Sequence, residues 1–191
     1  MPNILRYALL AAGLLACAPV APPLVAPAAA QDSTVVVLVR HAEKAPVEGN
    51  DPPLSEAGEA RARALAQTLA GMRFDAVIAT ERQRTQATAR PVMEAQGLTP
   101  EIVSLRHGPA HVDSVAAAVR RHAGHTVLVV GHSNTAPGIV HALGGPHLPD
   151  LCEPQFSNLY ILVLKDGAEP RYEHRTYGAP DPAGSDVCPA H

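Results

Sequence analysis

The chain has 191 residues, with 15 Lys and Arg against 18 Asp and Glu, a formal net charge of −3 and 47% hydrophobic side chains. That length suits one ordinary domain with something short attached, and enough apolar side chains are present to build a core. The slight acidity excludes general nucleic-acid binding, which needs a basic surface.

The short part is at the front. Residues 1–30, MPNILRYALLAAGLLACAPVAPPLVAPAAA, hold Arg6 as their one charged side chain. A positive start, an apolar run from Tyr7 to Ala16 and a small-residue exit describe a secretory signal. The run is shorter than the ~20 residues that span a bilayer. Prolines at positions 19, 22, 23 and 27 exclude a core helix there. Cleavage after Ala30 competes with a lipobox reading of LLAC, and is favoured because Leu15 is bulky where a lipobox carries a small residue. The lipobox reading puts a lipid anchor on Cys17 and makes residues 18–30 a stiff tether. Both readings export one domain spanning residues 31–191, periplasmic or extracellular, and attached to the outer membrane if lipidated. Two cysteines then remain, Cys152 and Cys188, and an oxidising compartment favours their pairing.

From residue 34 onward, strand-like and helix-like patterns alternate. TVVVLV (34–39) is an unbroken apolar run, as a strand buried on both faces requires. SEAGEARARALAQTLAG follows as a helix, with Ser55 at its N-cap, Glu56 and Glu59 at the positive end and Gly71 as a stop. FDAVIAT (74–80) is a second strand. RQRTQATARPVMEAQG is a helix ending at Gly97, which Pro91 should bend or restart. EIVSL, HTVLVVG (125–131) and SNLYILVL (157–164) read as strands, with helices at DSVAAAVRRHAG and NTAPGIVHALGG between them. PRYEHRTYG is an edge strand with exposed charges, and the Pro/Gly-rich tail after Tyr177 is expected to be poorly ordered except where Cys188 pins it. Strands alternating with helices imply a three-layer α/β/α sandwich, a mostly parallel sheet with an antiparallel edge strand.

Ligands gather beyond the carboxyl ends of such strands. Arg40 and His41 follow the first strand, Arg84 follows the second, and His132, Ser133 and Asn134 follow the strand ending at 131. Cationic groups converging without matching acids make a receptor for a compact dianion such as phosphate. Two His divide naturally into roles: a neutral imidazole can attack phosphorus, while the other stabilises charge on the transferring group.

Three blocks then resemble one family. LVRHAEK is similar to the Arg-His-Gly signature of the histidine phosphatase superfamily, the phosphoglycerate-mutase-like proteins. TERQRTQATA is similar to its second block, with Arg84, Thr88 and Ala89 in register, and VLVVGHSNT to the block carrying its second His. The resemblance implies a metal-independent phosphomonoester hydrolase with no cofactor. It makes His41 the nucleophile that forms a phosphohistidine, Arg40 and Arg84 the phosphate clamps, and His132 the second phosphate-binding His. Glu43, Lys44, Ser133 and Asn134 are the candidates for the substrate mouth. Ala42 and Ala87 depart from the family's usual Gly and Gln. The family's proton-donating carboxylate has no clear counterpart: Glu43 and Asp113 are the candidates, and Asp113 is expected to cap a helix instead. The implied partner is a phosphorylated small molecule or a phosphorylated envelope sugar.

Two other readings compete. GHSNT resembles the nucleophile elbow of α/β-hydrolases, with Ser133 as nucleophile and His174 following in chain order, but Thr135 fills the position where the elbow wants Gly. A non-catalytic phosphate-binding module of the same fold would need the arginines but not both histidines. A metal site is disfavoured. His107 and His111 stand four apart, but the Gly-Pro after His107 breaks the helix that would align them, so surface His is expected. Arg61, Arg63, Arg120 and Arg121 read as wet helix faces.

Overall fold

The computed structural model describes residues 33–185 and Cys188, so the leader, its cleavage sites and Cys17 lie outside the described residues. The elements follow the order read from the sequence. They are β1 (Ser33–Arg40), α1 (Glu56–Thr68), β2 (Ala76–Ala79), α2 (Gln83–Gln96), β3 (Pro100–Ile102), α3 (His111–Arg121), β4 (Thr126–Gly131), α4 (Ala136–Ala142), β5 (Asn158–Lys165) and β6 (Arg171–Thr176). The six strands form one sheet in the order β3-β2-β4-β1-β5-β6. The pairs among β3, β2, β4 and β1 are parallel, and β5 is antiparallel to both β1 and the edge strand β6.

Alternate residues of β1 feed two separate cores, because successive side chains of a strand point to opposite faces. Val35, Val37 and Val39 pack with Leu65 and Leu69 from α1 and its end and with Val92 and Met93 of α2. Val36 and Leu38 pack on the other face with Val115 and Val119 of α3 and Ile139 and Val140 of α4. Helices therefore cover both faces, and β1 is buried along its whole length. That is the three-layer sandwich.

Local signals explain the helix ends. The Ser55 hydroxyl accepts from the Gly58 amide at the start of α1, as the N-cap reading requires. Gly97 ends α2 in the left-handed region, with φ 67°. Two expectations are corrected here. α2 does not restart at Pro91 but continues through it as one helix; a single missing N–H is tolerated where Val92 and Met93 are packed into the core. α1 stops at Thr68 with Leu69 as its cap, before Gly71.

Arg61 is not on a wet face. It is buried on the inner side of α1, with Nε and Nη2 donating to both carboxylate oxygens of Glu43 at 2.8–3.0 Å. Its Nη1 donates to the carbonyls of Tyr177 and Ala179. Gly58 lets α1 approach closely enough for this, since a Cβ there would lie 2.3 Å from the Glu43 carbonyl oxygen. The tail is correspondingly better held than its composition suggested. Asp181 accepts from the amides of Phe156 and Ser157 and from the Ser157 hydroxyl, and Cys188 is bonded to Cys152 as expected.

Candidate active site

β4 lies between β2 and β1, so the carboxyl ends of three neighbouring strands open on one place. The chain leaves β1 toward α1 on one face and β4 toward α4 on the other. Adjacent strands sending the chain to opposite faces open the crevice in which such sheets bind ligands.

Arg40 and His41 stand at the end of β1, and the His41 amide donates to the carbonyl of Gly131 on β4. Thr88 of α2 fixes the next peptide: its hydroxyl accepts from the Ala42 amide and donates to the Arg84 carbonyl. The two imidazoles meet edge to face, with ring centroids 5.2 Å apart. The His41 Nδ1 lies 2.8 Å from the Ala42 carbonyl oxygen, so Nδ1 carries the proton and Nε2 keeps a lone pair. His132 places Nε2 3.2 Å from the Thr80 hydroxyl at the end of β2, and its own amide donates to Thr135.

Burial, followed by neighbouring positive charge, drives the His132 pKa from 6.5 down to about 3. Burial also brings His41 down to about 3, against the bond to Ala42. Both rings are therefore neutral at ordinary pH. Because they titrate near 6.5 when unfolded, protonation favours the unfolded chain; their stabilising effect is complete above about pH 6.5 and lost as pH falls toward 3. The urea midpoint of the unliganded protein should fall between about pH 7 and pH 4, and fall less steeply in His132→Gln. An identical slope in that variant would contradict the burial argument.

Arg40 is buried beneath the turn at 152–155. Its Nη1 donates to the carbonyls of Cys152, Glu153 and Gln155, and Nη2 to the Glu153 carboxylate at 2.9 Å. Its guanidinium lies 4.1 Å over the Phe156 ring. Arg84 reaches Asp51 at 3.4 Å. The Nε atoms of Arg40, Arg82 and Arg84 are all buried without a protein partner. Lys44 bonds the other oxygen of Glu153 at 2.7 Å.

The structure thus brings together Arg40, His41, Arg84 and His132, with Lys44 at the rim. Glu43 is drawn away to Arg61 rather than facing the opening. Ser133 and Asn134 form the turn between β4 and α4, Ser133 half-buried and Asn134 exposed. Asp113 is exposed in the first turn of α3 and does not cap it, since Ala110 holds that position. His111 is buried rather than on the surface, with Nε2 unpartnered. Among the described residues no three His, Cys, Asp or Glu converge as metal ligands. The elbow geometry is not formed either: no residue other than Gly has positive φ among the described residues, and His174 bonds Asn158 rather than Ser133. A cavity of about 1060 Å³, lined by Thr34, Arg120, His141 and Lys165 among others, opens at the opposite strand ends, away from this chemistry.

Sequence reasoning missed Arg82 and Glu153. Arg82 stands in the quoted second block, two residues before Arg84. Glu153 is separated from Arg40 by 113 positions and carries no local signature.

An open α/β sheet here joins two buried imidazoles to the buried Arg40 and the partly buried Arg84 at its switch point, the place where such sheets bind ligands. The family model of the histidine phosphatase superfamily (branch 1) matches residues 36–105. Several solved structures share the fold. The protein histidine phosphatase SixA complexed with tungstate superposes with TM-score 0.58 at 18% identity, over 74% of this chain and 96% of that one. The mycobacterial glucosyl-3-phosphoglycerate phosphatase gives 0.57 at 15%, over 78% and 100%. YhfR of Bacillus stearothermophilus gives 0.56 at 18%, over 72% and 94%. No curated protein sequence matches the chain.

Proposed function

We propose that the protein is a phosphomonoester hydrolase that acts through a phosphohistidine on His41, without a metal. One observation carries the reading: two neutral imidazoles stand 5.2 Å apart beside guanidinium groups whose Nε donors have no protein partner. That arrangement suits an incoming tetrahedral dianion. His41 attacks phosphorus with Nε2 while the Ala42 carbonyl holds the ring in that tautomer. Arg40, Arg84 and His132 take the charge that gathers on the equatorial oxygens. A bound dianion supplies the counter-charge that burial denied, which raises the His132 pKa and makes that ring a stronger donor.

The substrate is a phosphorylated small molecule or a phosphorylated envelope sugar. One of the structures sharing the fold is named a glucosyl-3-phosphoglycerate phosphatase, which supports a phosphorylated small molecule, whereas SixA is named a protein histidine phosphatase. Export completes the reading, with a signal over residues 1–30 or a lipid anchor at Cys17. The Cys152–Cys188 bond supports it, because disulfides persist in oxidising compartments.

Arg84→Lys tests the reading. Lysine keeps the charge but loses the planar fork, so kcat/KM should fall on the order of a hundredfold, as for loss of one transition-state contact. The assay uses a generic phosphomonoester with a chelator present, since no metal is required. A variant within about threefold of wild type, which is under ~1 kcal/mol, would remove Arg84 from the site.

A further inference from the structure

We propose that Glu153 is the group that protonates the leaving oxygen and then deprotonates the attacking water; this rests on the phosphatase reading above. The alkoxide released from an alkyl phosphate is a poor leaving group, so a positioned acid is worth roughly 10²–10⁴ in rate. The carboxylates expected to serve are elsewhere. Glu43 is held by Arg61 through both oxygens, and Asp113 is exposed on α3. Asp51 is occupied at the start of α2, accepting from the Gln83 amide with both oxygens.

Glu153 is differently placed. Its two oxygens bridge Arg40 at 2.9 Å and Lys44 at 2.7 Å, and its charge also acts on Arg84. It therefore lies against one of the groups read as phosphate clamps, Arg40, and within the field of the other, Arg84. Its side chain is 63% exposed, so a departing alcohol beside it can be released to solvent. Its backbone, by contrast, is fixed. Arg40 holds the carbonyls of residues 152, 153 and 155, the Gln155 side chain accepts from the Cys152 amide, and Leu151 donates to the Ser133 carbonyl beside His132. The disulfide to Cys188 pins the same turn from outside.

The protons balance as follows. In the free protein burial pushes the Glu153 carboxyl up, but the bond from Lys44 and the charge of Arg40 outweigh it, so the group is ionised. A phosphomonoester monoanion brings the proton. Once its oxygens share Arg40, the proton passes to Glu153. The His41 Nε2 lone pair forms the P–N bond as the P–O bond breaks, and Glu153 gives its proton to the departing oxygen, releasing a neutral alcohol. Water then attacks phosphorus, Glu153 takes the proton from it, and the P–N electron pair returns to Nε2; Glu153 passes that proton to the phosphate, which leaves as the monoanion with the carboxylate ionised again.

The test compares Glu153→Gln with wild type on glycerol phosphate, which must release an alkoxide, and on 4-nitrophenyl phosphate, whose phenolate leaves without help. The variant should lose about 10²- to 10³-fold in kcat/KM on glycerol phosphate and less than about tenfold on the nitrophenyl ester. Equal loss on both substrates means that Glu153 only supports Arg40, and overturns the proposal. Unchanged rates on both, or the selective loss appearing in Asp51→Asn instead, overturn it too. Wild-type protein that hydrolyses neither ester removes the phosphatase reading, and this proposal with it.

Discussion

A His41→Ala variant should lose phosphomonoester turnover by at least about a thousandfold, because deleting a covalent nucleophile removes the step that divides the displacement in two. The effect should be chemical rather than structural. His41 is 3% exposed, so its loss leaves a small cavity instead of an open surface. The peptide around it stays tied, with its own amide bonded to Gly131 and the next to Thr88. A stability change of about 1–2 kcal/mol is the ordinary cost of such a deletion, well short of unfolding the domain. Turnover within tenfold of wild type would contradict the nucleophile assignment.

The largest effect on stability is expected at Arg61. Arg61→Met keeps a side chain of similar length in the inner face of α1 but leaves the Glu43 carboxylate without its partner and two tail carbonyls without their donor. Breaking a buried pair from one side costs about 3–5 kcal/mol; Glu43 is partly exposed, which puts the expected loss near the lower figure. Adding Glu43→Gln to Arg61→Met should restore at least about 1 kcal/mol, since the stranded charge is then gone. Denaturant unfolding of the single and double variants measures both quantities. A single variant within about 1 kcal/mol of wild type would show that the pair is only decorative.

Much of this arrangement was legible in the residues. The apolar runs located β1, β4 and β5, and Ser55 and Gly97 marked helix ends by their backbone chemistry. Because both β1 and β4 end where their apolar runs stop, Arg40, His41 and His132 had to emerge together once the strands paired in parallel. The misreadings of Arg61 and His111 share one cause, which is judging a side chain by its charge rather than by its place in the pattern. Gly58, Arg61, Ala62 and Leu65 follow the 3.6-residue stripe of a buried helix face, so Arg61 stood on the inner side of α1. His111 likewise lines up with Val115 and Val119 on the buried face of α3. Glu153 is a different matter. It meets Arg40 and Lys44 only because the turn after α4 folds back over the end of β1, and nothing local to residues 151–156 encodes that contact.

Rapid quenching tests the phosphohistidine most directly. Wild-type protein is mixed with a ³²P-labelled phosphomonoester, stopped in base within the first turnover, digested and mapped by mass spectrometry. Label that survives base, is lost in acid, lies on His41 and vanishes in His41→Ala is the expected result. Label on Ser133, or wild-type turnover at full rate with no phosphorylated protein at any time point, would contradict it.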